Sequence, residues 1–367
     1  MTGESLGHAE RNSEPTARYD PFPRGRFPVG VRTIEAPDRA RNRVFPCEIW
    51  YPAAARYEGQ DLAPVTQDSF TDPPGSAARS QMAARGAATR PGTYPLALFS
   101  HSSGGRRRQS TFLCTHLSSH GYVVAAMDHS EVLAPELARG ENESAERKAA
   151  RIEGWIRNRV PDIRFLLDYV LDGAGWDPEA KVDGARIGIV GHSFGGWTAL
   201  AAPEVERRIR AVVALAPGGS SRPKPGILPV KLTYAWGADV PTLYLVAEDD
   251  ISTPLAGMYE LFDRTPATRL MAILRRADHL HFMDDVERLH EAVRAMPFSG
   301  ELAWIPKEMR PIAELCSGEE AHLFVRGLAL CHLDAVLRQR EEARGLLAGG
   351  IEAELAKRGV AAIMHRP

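Results

Sequence analysis

No stretch of this sequence holds about 18 consecutive apolar residues, so nothing in it reads as a membrane-spanning helix. Residues 1–20 lack the apolar centre of a secretory signal and carry Glu4, Glu10 and Glu14. The location expected on those grounds is the cytoplasm. A surplus of one charge is also missing. The net charge is −2, which gives no electrostatic case for nucleic acid or for attraction to anionic membranes. Cysteine is scarce: Cys47, Cys114, Cys316 and Cys331 lie far apart with no CxxC pair, so no metal-site pattern is present. A chain of 367 residues buries enough core to do without disulfides, and the four are expected as buried thiols. There is no internal repeat and no low-complexity tract.

What is present is the composition of a globular enzyme, 44% hydrophobic and 25% charged. Residues 1–20 read as a disordered tail, polar and with nothing to bury. Residues 29–34 and 44–51 read as an antiparallel hairpin around a charged turn. Residues 53–92, rich in Ala, Gly, Pro and Ser, read as a surface excursion with one short helix. Strand-like runs then alternate with helical stretches: 96–99, 122–127, 187–190, 211–215, 242–246 and 270–274. Such continuous apolar runs suit parallel strands covered on both faces. The helical pattern up to Leu171 is expected to break at Pro161, with proline opening a second helix at its first position. Residues 131–144, 218–239 and 296–318 read as insertions, of lengths that suit a lid over the site. A helical pattern over 321–339 closes the domain. The reading is an α/β fold in three parts: a tail at 1–20, one domain at 21–345, and a helical extension at 346–367.

The segment Gly191-His192-Ser193-Phe194-Gly195 follows a buried strand and precedes a helix-forming stretch. G-x-S-x-G in that setting is a nucleophile elbow: the serine stands on a tight turn at the positive end of the helix, and the glycines allow close backbone approach. The acid of such a site follows a late strand. Asp250, four residues before Pro254, is the candidate, with Asp249 in reserve and Glu248 read as a solvated loop residue. The base follows the next strand: His279, with His281 as the alternative. An oxyanion hole needs two backbone N–H groups. The amide of Phe194 is one, and the small-residue turn from Ser100 to Gly105 supplies the other, from Ser103 or in reserve Ser102. His101 is expected to brace that turn.

The runs from Gly92 to His101 and from Ser118 to Ala126, the elbow, and Asp278-His279-Leu280-His281-Phe282 resemble platelet-activating-factor acetylhydrolases and the wider dienelactone-hydrolase-like group. The resemblance covers residues 27–290. It implies the α/β-hydrolase fold, a mostly parallel sheet with helices on both faces, and hydrolysis of a small to medium, lipid-like or xenobiotic ester through an acyl-enzyme, with no metal or organic cofactor. Two departures stand out: Ser102 replaces the glycine usual after the oxyanion-loop histidine, and true dienelactone hydrolases have cysteine where this chain has Ser193. An amidase or peptidase using the same triad, and an inactive hydrolase fold that only binds ligand, are the competing readings. Oligomeric state is left open. Arg106, Arg107 and Arg108 are candidates for holding an anionic substrate group, against the plainer reading of a solvated face. Trp236 and Trp304 are candidates for the cleft wall, and Trp176 and Trp197 for the core.

Overall fold

The computed structural model describes residues 19–72, 75–140, 143–173 and 179–367. The strands are β1 Val29–Asp38, β2 Arg43–Pro52, β3 Asp68–Phe70, β4 Arg79–Gln81, β5 Ala84–Arg85, β6 Gly92–Ser100, β7 Val123–Met127, β8 Ala180–His192, β9 Ile209–Leu215, β10 Thr242–Ala247, β11 Arg269–Leu274 and β12 Ala362–His365. Ten of them form one sheet in the order β12-β11-β10-β9-β8-β6-β7-β2-β1-β5, and β3 pairs with β4 apart from it. From β7 through β6, β8, β9 and β10 to β11 all neighbours run parallel. Antiparallel β2 and β12 flank that parallel block. The β1–β2 hairpin turns through Asn42 at φ 50°, a conformation that asparagine tolerates better than most residues.

The helices are α1 Thr111–Ser119, α2 Ser130–Leu133, α3 Ala145–Leu171, α4 Phe194–Ala201, α5 Leu255–Arg264, α6 Val286–Ala295, α7 Ile305–Glu308, α8 Gly318–Leu337, α9 Glu341–Gly345 and α10 Ile351–Ala356. Alternation along the strands feeds two cores. Leu96, Leu98, Tyr244 and Val246 pack with α3, α4 and α5 on one face. Ala97, Phe99, Leu243 and Leu245 pack with α1, α8 and α10 on the other. This double covering explains why the strands read as unbroken apolar runs. Among the described residues no helix is long and apolar enough to cross a membrane. All four cysteines are free and buried.

Four expectations need correction or completion. Pro161 does not divide the helix: α3 runs through it. Side chains on both sides of the proline, Trp155 before and Ile163, Leu166, Leu167 and Val170 after, are buried in one core. Pro161 and Arg157 both lie on the exposed face, so the carbonyl that loses its donor faces water. The excursion at 53–92 carries three short strands rather than a helix beyond a single 3₁₀ turn, and β5 extends the main sheet. The segment 346–367, expected as helical, ends in β12, which pairs with β11 from Met271↔His365 to Leu274↔Ala362. Tyr19 and Asp20 belong to the folded body, with the Tyr19 hydroxyl donating to Asp334 at 3.1 Å. The rest of the expected tail, and Trp176, lie outside the described residues.

Candidate active site

Strand β8 ends at His192 and α4 begins at Phe194, which leaves Ser193 alone on the turn at φ 58°, ψ −114°. A non-glycine residue held there is strained, and such strain concentrates at functional turns. The surrounding glycines explain how the turn closes. A Cβ on Gly191 would stand 2.0 Å from the Gly195 carbonyl oxygen, and one on Gly195 would stand 1.9 Å from that of Ser100. The Ser193 N–H donates to Leu215 O at 2.9 Å, and its carbonyl accepts from Trp197 and Gly218, each at 3.0 Å. The serine itself is half-buried at the C-terminal edge of the sheet.

Asp250 follows β10 and His279 follows β11, neighbouring parallel strands, so the two meet at the same edge. His279 Nδ1 lies 2.7 Å from Asp250 Oδ2. A carboxylate only accepts, so Nδ1 carries the proton and Nε2 is left as the acceptor. Asp250 is itself fixed. Its Oδ1 accepts from the N–H groups of Ser252 and Thr253, each at 2.8 Å, and its Oδ2 from the Thr253 hydroxyl at 2.7 Å. The His279 ring sits 4.7 Å from that of His192, the residue before Ser193, which puts it beside the elbow. Burial opposes a charge on His279, yet Asp250 outweighs it and holds the pKa above its ordinary 6.5.

The alternatives face elsewhere. Asp249 pairs with Arg310 at 3.1 Å, and Glu248 with Arg275 at 2.6 Å. His281 is buried, with Nδ1 2.8 Å from Asp278 and Nε2 3.1 Å from the Cys316 carbonyl. Burial opposes its charge, but these partners push its pKa up to about 10. His281 therefore clamps the loop with both ring nitrogens already engaged, a poor choice for accepting a proton from Ser193.

The expected oxyanion turn is pinned from below. Ser102 N–H donates to Gln109 Oε1 at 2.9 Å, while Ser103 is exposed. His101 Nε2 accepts from the His129 N–H at 3.1 Å, so its Nδ1 donates to Ser102 O at 2.7 Å. Gln109 also bonds His192 at 3.0 Å, which links this turn to the elbow.

The arginine run does not offer free charge. Arg106 and Arg107 pair with Asp128, Arg106 also with Asp72, and Arg108 with Glu48 at 2.9 Å. Recognition of an anionic substrate group by this run is thereby displaced by internal carboxylates. Trp236 donates to Leu200 O at 3.1 Å, at the end of α4, and Trp304 to Pro225 O at 3.0 Å with Lys224 over its ring. Both hold the insertions in place. Trp197 is buried, and its N–H reaches Lys231 O at 2.7 Å. Among the described residues no three His, Cys, Asp or Glu side chains are grouped to hold a metal ion.

Three participants had escaped the sequence reading: Gln109, His129 and Arg159. Only Arg159 carried a signal. It stands four residues after Trp155 and four before Ile163, on the buried stripe of α3.

Comparison with known proteins finds relatives for part of the chain and for its fold. The family profile described as Chlorophyllase matches residues 71–241, a stretch that holds the turn from Ser100 to Gly105 and Ser193 but stops before Asp250 and His279. A platelet-activating factor acetylhydrolase from Cavia porcellus is 26% identical over 152 residues, 34% of this chain and 35% of that protein. Cutinase est1 from Thermobifida alba is 24% identical over 197 residues, 53% of this chain and 55% of its own length. The chain thus spans about a third of the acetylhydrolase and about half of the cutinase. Among solved structures, a ferulic acid esterase from Streptomyces cinnamoneus superposes with a TM-score of 0.62 at 24% identity, covering 87% of this chain and 92% of that one.

Proposed function

We propose that this chain, which has the α/β-hydrolase fold, is a carboxylic-ester hydrolase working through an acyl-enzyme on Ser193. The observation that carries the reading is the Asp250–His279 pair at 2.7 Å beside a serine held at φ 58°. That the relatives in the comparison are named as esterases, a cutinase and acetylhydrolases supports it.

In this reading His279 Nε2 takes the Ser193 hydroxyl proton as Oγ attacks the ester carbonyl. Asp250 holds the ring in the required tautomer and stabilises the imidazolium that forms. The tetrahedral oxyanion is received by the N–H groups of Phe194 and Ser103. The imidazolium then protonates the departing alcohol, and water enters by the reverse route to release the acid. The substrate is a small to medium ester, lipid-like or xenobiotic.

The test is hydrolysis of p-nitrophenyl esters of increasing acyl length by the native chain and by Ser193→Ala. Turnover that vanishes in the variant supports the reading, and the length optimum sizes the acyl site. No turnover of any ester, with turnover of anilides, would replace it by an amidase. An active Ser193→Ala would end it.

A further inference from the structure

We propose that Arg159 is a positioning residue that orients and polarises the second oxyanion donor; the inference rests on the esterase reading above. Arg159 is wholly buried on α3, directly behind the candidate oxyanion hole. Its Nη1 donates to His101 O at 2.6 Å and to Ser100 Oγ at 3.3 Å, and its Nη2 donates to Ser102 O at 3.2 Å and to Glu131. Its guanidinium carbon lies 4.1 Å from the centroid of the Phe194 ring. One side chain thus touches both residues that precede Ser103 and also the residue that supplies the first amide donor.

The consequence follows from peptide geometry. In a planar trans peptide, C=O and N–H point in opposite directions. The Ser102 carbonyl is held from behind by Arg159, by His101 Nδ1 at 2.7 Å and by the Gly105 N–H at 3.1 Å. The Ser103 N–H belongs to that same peptide and must face the other way, away from Arg159 and on the exposed side of the turn. The neighbouring peptide points oppositely: Ser102 N–H is taken by Gln109. Ser103 is left as the donor of this turn. A carbonyl that accepts from a cation also makes the N–H across the peptide a stronger donor.

The test compares the native chain with Arg159→Met and Arg159→Lys, all normalised to sites titrated by a fluorophosphonate. Kinetics on a p-nitrophenyl ester are measured beside the affinity for a trifluoromethyl ketone that adds to Ser193. Arg159→Met should lower kcat by about 100-fold, the scale of one lost oxyanion donor, with KM within about threefold. Its affinity for the ketone should fall in step with kcat/KM, and Arg159→Lys should recover part of both. Should Arg159→Met fold poorly beside an unpaired Glu131, the double variant Arg159→Met, Glu131→Met removes both charges and is read the same way. Native kcat per titrated site in these variants, or a loss confined to KM, would overturn the role of Arg159 and leave the esterase reading standing. A native chain that neither turns over esters nor is labelled at Ser193 would overturn both.

Discussion

Two sets of serine, histidine and aspartate meet near one edge of the sheet, where Ser100 lies in register with Gly191, two residues before Ser193, and they behave oppositely. In one, Ser193 stands half-buried on the elbow while the His279 side chain keeps 16% of its surface and Asp250 holds its Nδ1. In the other, Ser100 Oγ lies 2.9 Å from His129 Nε2, and His129 Nδ1 lies 3.2 Å from Asp162, with all three wholly buried. By hydrogen bonds alone the second set looks the more complete. Its histidine, however, is pulled well below the ordinary 6.5 by burial, by Arg159 and by Arg41, whereas His279 is raised by its aspartate. A base must be able to become a cation. His129, buried and opposed by the charges of Arg159 and Arg41, cannot do so cheaply, and its N–H braces the His101 ring instead. Charge environment and access separate the two sets; residue type does not.

The sharpest way to break this contrast is to truncate each serine. Ser193→Ala should lose about 10⁶ in kcat, while Ser100→Ala should stay within about tenfold, both read on p-nitrophenyl esters. Comparable losses in the two would collapse the distinction. Next in size, Asp250→Asn should cost about 10⁴ in kcat through the wrong tautomer of His279. Asp249→Asn, whose carboxylate pairs with Arg310 and not with His279 among the described residues, should leave kcat nearly native. In the sealed set the cost should appear as stability instead. Asp162 accepts from Arg41, Ser130 and His129, and Asp162→Asn should destabilise by about 3 kcal/mol in urea unfolding.

Two pH profiles sharpen the comparison further. Activity needs neutral His279, so it should rise with pH through a limb whose midpoint lies above 6.5, because Asp250 favours the imidazolium. A midpoint below 6.5 would contradict the ion pair. His281 acts in the opposite sense, on stability. Its folded pKa of about 10 exceeds the unfolded value, so its contribution is complete below about 6.5 and is lost as pH climbs to about 10. The melting temperature should fall across that window, and His281→Asn should flatten the slope.

Much of this arrangement was legible before any coordinates. Gly191 and Gly195 announce the elbow because no Cβ fits at either position. The apolar runs at 242–246 and 270–274 mark β10 and β11, and the loops after them hold Asp250 and His279. Choosing Asp250 over Asp249, or His279 over His281, needed geometry, since neighbours in a loop share every local signal. The strands β3, β4, β5 and β12 escaped because elements of two to four residues carry no period, and β5 and β12 are held by pairing with the distant strands β1 and β11. Pro161 misled because propensity is local, while the packing that carries α3 through it is tertiary. Arg159 sat on an apolar stripe in view, but its meaning depends on carbonyls 57 and 58 residues away.

The backbone of Ser193 has a consequence for evolvability. At φ 58°, ψ −114° a serine carries a conformational load of about 1–3 kcal/mol that glycine would not. Ser193→Gly should therefore melt at a higher temperature than the native chain while turning over nothing. Selection for durability and selection for turnover pull this one position in opposite directions.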